Sequence, residues 1–156
     1  IDDVTLTYTK NSAVFKSAEY TIYTRLIEGK YFAYQKMFTE GEINTCASRT
    51  ALIGAMTRAK MCTEEKQPAV FQIEDDVLNI SIRDKLADYQ EQVPLQETVC
   101  KSIRLGFDSR LVLETLKAFT CDNIALGFTS PRTPMIVEAE DSDMKAMVLP
   151  VAIREV

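Results

Sequence analysis

The chain contains no histidine, so the usual general base at neutral pH is missing. Mechanisms of the Ser-His-Asp or Cys-His type are excluded within these 156 residues. Four cysteines are present, Cys46, Cys62, Cys100 and Cys121, with no Cys-x-x-Cys pair among them. A thiolate zinc site draws ligands from closely paired positions, so neither zinc nor another metal is expected. No phosphate-cradling glycine loop, no nucleotide fingerprint and no nucleophile with a partnered base occurs, and no cofactor is expected. No apolar run approaches the roughly 18 residues that span a bilayer, so a membrane partner is not expected either. An export signal is also lacking, since the chain opens Ile1, Asp2, Asp3 without a basic region or an apolar block. The thiols are therefore expected to be reduced and the protein cytoplasmic. The opening has no Met, which reads as a processed or truncated chain. Excess positive charge is absent too: the net charge is −5. Proteins that grip DNA phosphates tightly are usually basic, which disfavours a tight autonomous DNA binder. Weak contact from a local basic face stays open, because net charge does not fix how charge is distributed.

Hydrophobic residues make up 46% and charged residues 26%, the balance of a globular core. The length holds one domain, or one domain and part of another. Residues 4–9 and 13–26 alternate apolar with polar and read as strands, with Lys10, Asn11 and Ser12 as the first turn. Glu28, Gly29 and Lys30 break that pattern, an aromatic patch follows at Tyr31, Phe32, Tyr34 and Phe38, and residues 39–48 read as a linker running into a strand. Over residues 49–64 the period becomes helical, with Leu52, Ile53, Met56, Ala59 and Met61 on one face and Ser48 or Thr50 as the cap. Residues 68–92 return to strands, with Asp75-Asp76 as the turn of a hairpin. A further strand covers 97–107. Asp108 or Ser109 caps a second helix over 109–119, with Leu111, Val112, Leu116 and Phe119 on its apolar face. Strands close the chain at 122–128, 134–139 and 145–153. This is an α+β pattern dominated by antiparallel hairpins.

The chain also echoes itself. NSAVFKSAEYTIYTRLIEG near the start and RTPMIVEAEDSDMKAMVLPV near the end both read as a hairpin running into a final strand, with Ala13 matching Pro134. A repeat of that length means duplicated domains rather than a solenoid. Residues 1–38 then read as the tail of one domain and 39–156 as a complete second copy.

Several segments, in order, resemble the bacterial DNA polymerase III beta subunit, the sliding clamp, in its C-terminal portion. Leu26–Phe38 (LIEGKYFAYQKMF) resembles the end of the middle clamp domain, where the family has a G-[KR]-[FY]-P-x-Y turn. AMTRAKMCTEEKQPAVF resembles the first helix of the last domain and the loop after it. FDSRLVLETLKAF resembles the second helix, F-N-x-x-Y-L-x-D-x-L. TSPRTPMIVEAED resembles the hairpin before the C-terminus, and MVLPVAI the tail M-P-[MV]-R-[LI]. The departures are Phe32 where Pro is common, Ala152 where Arg is usual, and Arg154, Glu155 and Val156 following Ile153. The first domain and most of the middle domain are absent. The middle-domain T-D-x-H-R-L segment, part of the family's partner pocket, is among what is missing.

The resemblance implies a clamp fold, antiparallel sheets with two helices per domain, and a non-catalytic processivity factor. Such a ring encircles duplex DNA and tethers the replicative polymerase and clamp-loader peptides. It implies three sites. A partner-peptide pocket falls on Phe32, Lys36, Met37 and Leu111, on Arg132 and Pro134, and on Met147, Leu149, Pro150 and Val151, where Met and Leu make an adaptable apolar surface. Weak, sequence-independent DNA contact falls on Arg49, Arg58, Lys60, Arg110 and Lys117. The subunit interface of a ring-shaped homodimer falls on Met61 and Cys62, where edge strands pair across subunits. Without the resemblance, the same residues read as core, strand and solvated helix face. Two alternatives remain. One is a clamp-like protein-interaction module that does not encircle DNA. The other is a metal-dependent nuclease or phosphatase using the acidic clusters Glu74, Asp75, Asp76 and Glu138, Glu140, Asp141, Asp143. Turns attract Asp in any case, and neither cluster has EF-hand spacing.

Overall fold

The computed structural model describes residues 3–62, 67–83, 88–139 and 142–153. The chain divides into two compact units between Tyr34 and Gln35, slightly ahead of the boundary expected at residue 38. In the first unit, β1 (Thr5–Tyr8), β2 (Ser12–Lys16) and β3 (Thr21–Arg25) form an antiparallel meander. The apparent strand over 13–26 is thus two strands. Ser17 and Tyr20 close the connection between them, the Ser17 amide donating to the Tyr20 carbonyl at 2.9 Å. Leu6, Phe15 and Ile22 are successive register partners and so share one face of the sheet. All three are exposed, and Ala13 is the one buried residue of the meander's strands.

The second unit opens with a short 3₁₀ turn, Tyr34–Met37, that begins on the last residue of the first. It continues with β4 (Ile43–Ser48), α1 (Arg49–Met61), β5 (Ala69–Arg83), β6 (Asp88–Phe107), α2 (Ser109–Ala118), β7 (Asn123–Phe128), β8 (Met135–Ala139) and β9 (Ser142–Val148). The six strands form one sheet in the order β5-β6-β4-β7-β8-β9, and every pairing is antiparallel. Alternation places Ile43, Thr45 and Ala47 of β4 and Ile124, Leu126 and Phe128 of β7 on the buried face. The helices close that face. α1 packs on β4, β5 and β6, while α2 packs beside α1 and on β9. Phe71 and Phe107 meet edge to face at 5.2 Å inside this core.

Both helices start where capping chemistry places them. Ser48 accepts the Ala51 amide at 3.4 Å, and Asp108 accepts the amides of Arg110 and Leu111 at 2.8 and 3.3 Å. Gly54 is tolerated inside α1. The buried face of α1 is Leu52, Ala55, Met56 and Ala59, while Met61 is 81% exposed and lies off it. On α2 the buried set is Ser109, Val112, Leu113 and Leu116, and Leu111 points outward, 45% exposed. Leu113 replaces it because successive turns of α2 seat 109, 112, 113 and 116 together.

The expected hairpin at Asp75-Asp76 is corrected by the structure. β5 runs unbroken through these residues and pairs with β6 on both sides, with register shifts around Asp75, whose φ is +51°. The inward residues of β5 change parity there, from Ala69, Phe71 and Ile73 to Leu78, Ile80 and Ile82. An irregularity in the ladder lets both runs face the core without reversing the chain. Pro94 sits opposite Val77 at the same irregularity, a place where a missing amide donor is tolerated. At the other end of the chain, residues 149–153 are not a strand. A single bridge holds them, from the Val151 amide to the Gly106 carbonyl at 2.8 Å. The two segments of the internal echo both fold as antiparallel hairpins, β2–β3 and β8–β9.

Candidate functional site

α1 carries three basic side chains and no acidic one, and α2 carries two basic and one acidic. The adjacent helices therefore hold a net four positive charges in a chain whose total is −5. Their basic residues are not equivalent. Arg49 is half-buried and donates through Nε to the Cys121 carbonyl at 2.6 Å, while its amide donates to the Asp122 carbonyl at 2.9 Å. This ties the start of α1 to the approach to β7. Arg58 forks onto Glu91 of β6, at 2.8 Å through Nε and 2.5 Å through the terminal nitrogen. Tyr89 completes the group, its hydroxyl reaching both Glu91 and the Ala55 carbonyl. The hydrogen bond from Arg58, then that from Tyr89, holds the Glu91 carboxyl below its usual range. Burial, reinforced by the Glu91 carboxylate, pushes the Tyr89 phenol up. Lys60, Arg110 and Lys117 are exposed on the helices.

The residues expected to form a peptide pocket fall on several elements. Phe32 belongs to the first unit, where it stacks with Tyr31 at 5.2 Å and meets Tyr34 edge-on at 6.2 Å. In the second unit, Lys36 and Met37 lie on the 3₁₀ turn, and Arg132 and Pro134 lie in the connection between β7 and β8. Met147 is on β9, and Leu149, Pro150 and Val151 follow it. α2 packs on β9, the strand that bears Met147, through its buried stripe, and Leu111 lies outside that stripe, 45% exposed. Leu149 and Val151 are 57% and 42% exposed. With Leu111 they make up three of the five large hydrophobic side chains exposed among the described residues of this unit, the others being Met61 and Met144. Met61 and Cys62 stand at the end of α1, and the Cys62 amide closes the helix on the Ala59 carbonyl at 3.0 Å.

Sequence reasoning missed part of this surface. Asn44, Gly127, Ile136 and Met147 are successive register partners across β4, β7, β8 and β9, on the face turned away from the helices. Ile136 is 7% exposed, yet it stands apart from the main core cluster. The signals were the lone glycine in β7, which marks a close approach, and the apolar outward residue Ile136 of β8. A separate depression of about 650 Å³ lies on the outer side of β5 and β6. Gln72, Asn79, Ser81 and Gln90 line it, with Ile153 of the tail, and none of the expected pocket residues borders it. Of the acidic clusters, Glu74 accepts from Gln72 at 2.7 Å, Glu138 pairs with Lys145 at 2.7 Å, and Asp143 is exposed. Glu140 and Asp141 lie outside the described residues, as do Arg154, Glu155 and Val156. Among the described residues no group of three or more metal-ligating side chains gathers, and no helix is long and apolar enough to cross a membrane.

Residues 38–152 match the family described as DNA polymerase III beta subunit, C-terminal domain. The beta sliding clamp of Staphylococcus aureus is 24% identical over 155 residues, covering 96% of this chain and 41% of that protein. The solved DNA polymerase sliding clamp of Caulobacter crescentus superposes with a TM-score of 0.88 at 14% identity, over 96% of this chain and 41% of that one. That of Pseudomonas aeruginosa gives 0.86 at 19% identity, over 97% and 42%. The fold is thus the α+β clamp fold. This chain spans about two fifths of the length of these relatives.

Proposed function

Since this chain belongs to the family of the DNA polymerase III beta subunit, C-terminal domain, we propose that it works as part of a sliding clamp, a processivity factor without chemistry of its own. In this reading residues 1–38 belong to the middle clamp domain and residues 39–156 to the last one. The working assembly is a ring-shaped homodimer in the cytoplasm, closed around duplex DNA, with Met61 and Cys62 at the subunit contact. Closing a ring converts polymerase rebinding into an intramolecular event, so processivity comes from topology and effective concentration.

The observation that carries this reading is the segregation of charge. A helix pair bearing a net four positive charges in an acidic chain suits loose, sequence-independent attraction to phosphates. Such attraction does not pin a register, so sliding is allowed. Lys60, Arg110 and Lys117 supply most of it. Arg49 and Arg58 contribute charge while their donors hold Cys121 and Glu91. The partner site on the second unit is the apolar surface of Leu111, Met147, Leu149, Pro150 and Val151 with Lys36, Met37, Arg132 and Pro134. It takes apolar side chains of the tails of the replicative polymerase and the clamp loader.

The test is primer extension on singly primed circular DNA by the replicative polymerase and clamp loader of the same cell, with the protein as that cell makes it. Longer products are expected, shortened again by Lys60→Glu with Lys117→Glu. Unchanged product length together with binding of a labelled polymerase tail peptide would replace the ring by an interaction module. Divalent-dependent cleavage of the template, lost on changing Asp75 and Asp76 to Asn, would replace both by a nuclease.

A further inference from the structure

The segment that enters the six-stranded sheet, residues 38–42, approaches it too closely to be a loose tether. A Cβ placed on Gly41 would sit 2.7 Å from Asn44 Oδ1, 2.7 Å from the Phe128 nitrogen and 2.9 Å from Gly127 Cα. No side chain fits between the strap and β7. Gly127 is the other half of the contact, since a Cβ there would meet Asn44 Oδ1 at 3.1 Å and Ile136 Cβ at 3.6 Å. Asn44 then fastens the strap, donating from Nδ2 to the Gly41 carbonyl at 2.8 Å. The neighbouring Glu42 pairs with Lys101 of β6 at 3.1 Å. The seat is the cross-strand row Asn44, Gly127, Ile136 and Met147, in which glycine leaves a gap in an otherwise side-chain-bearing row. Met147 is also a member of the apolar partner surface, and Lys36 and Met37 come immediately before the strap.

We propose that Gly41, Asn44 and Gly127 are positioning residues for the partner-peptide site: they pin the strap 38–42 on the row that ends in Met147 and so fix where Lys36 and Met37 leave the sheet. The inference rests on the peptide-site reading above. Two glycines remove the volume that would hold the strap off the strand, and one side-chain amide supplies the directional bond that selects a single seating. A loose strap would present Met37 in many places, and the peptide would then bear the cost of ordering it.

Asn44→Asp removes the donor while keeping the shape, and Gly127→Ala fills the gap. Both are made in the protein as its cell produces it. Three quantities are compared with wild type: hydrogen exchange of the amides of residues 38–42, affinity for a fluorescent copy of the C-terminal tail of the replicative polymerase, and the melting temperature. The expected result is faster exchange confined to the strap and an about three- to tenfold weaker peptide, as for losing one good hydrogen bond. The melting temperature should fall by only a few degrees, as for one hydrogen bond, and duplex DNA binding should stay near wild type, which a general loss of structure would not allow. Exchange that does not change in Asn44→Asp overturns the lock. Faster exchange with unchanged peptide affinity overturns the positioning role. If Gly127→Ala misfolds, Asn44→Asp alone carries the decision. Wild-type protein that fails to bind the peptide sinks the peptide-site reading and the positioning role with it, while the exchange data still report whether Asn44 pins the strap.

Discussion

The two units use the same strand chemistry and end in opposite states. In the first, the meander aligns Leu6, Phe15 and Ile22 on one face, and no second layer among the described residues of that unit covers them. In the second, an equivalent alternation on β4, β5, β6 and β7 is closed by α1 and α2. Twelve large hydrophobic side chains are exposed among the described residues up to Tyr34, against five in the much longer remainder. A patterned strand commits a residue to a face. Burial of that face, which supplies most of the stabilisation, needs another layer to close on it.

The sharpest way to break this comparison is to delete one phenylalanine from each unit. Phe71→Ala should cost about 3–5 kcal/mol in chemical denaturation, as for a fully enclosed ring. Phe15→Ala, in the isolated chain, should cost under about 1 kcal/mol. Equal losses would mean that the face of the first unit is covered after all. The second effect is colloidal. Uncovered apolar faces associate, so the isolated chain should sediment as concentration-dependent oligomers, reduced by changing Leu6, Phe15 and Ile22 together to Ser. Monomeric behaviour at high concentration would count against it.

Smaller effects probe the covered unit. Asp108→Ala should destabilise by about 1 kcal/mol, because its carboxylate accepts two amides of α2. Ser48→Ala should cost less, given the single 3.4 Å bond at α1. Thermal melts of the two variants would rank them, and the reverse order would refute the assignment of Asp108 as the stronger cap. The smallest effect is on pH. Arg58 and Tyr89 lower the folded-state pKa of Glu91 beneath its ordinary 4.5. Its contribution is therefore present above that ordinary value and is lost as pH falls through the lower folded value. Glu91→Gln should flatten the acid limb of a stability-versus-pH curve in that window and leave the neutral limb parallel to wild type.

The sequence by itself determined the α+β class and both helices, because their starts are local chemistry: Ser48 and Asp108 stand just before runs of helical period. It also determined that the basic residues concentrate on those helices. The two strand runs within β5 were legible as well, but their continuity was not. A turn and a ladder irregularity both draw on residues that accept positive φ, so Asp75-Asp76 fitted either one. Pairing with β6 on both sides decided between them, and pairing is non-local. The same reason governs the candidate site. Leu149 and Val151 enter the proposed site only through the family resemblance, and the row Asn44, Gly127, Ile136 and Met147 exists only once four strands distant in sequence lie side by side. Leu111 was placed on the wrong side of its helix for a related reason. Periodicity gives a stripe, and the stripe turned to the core is settled by what packs against it, here α1 and β9.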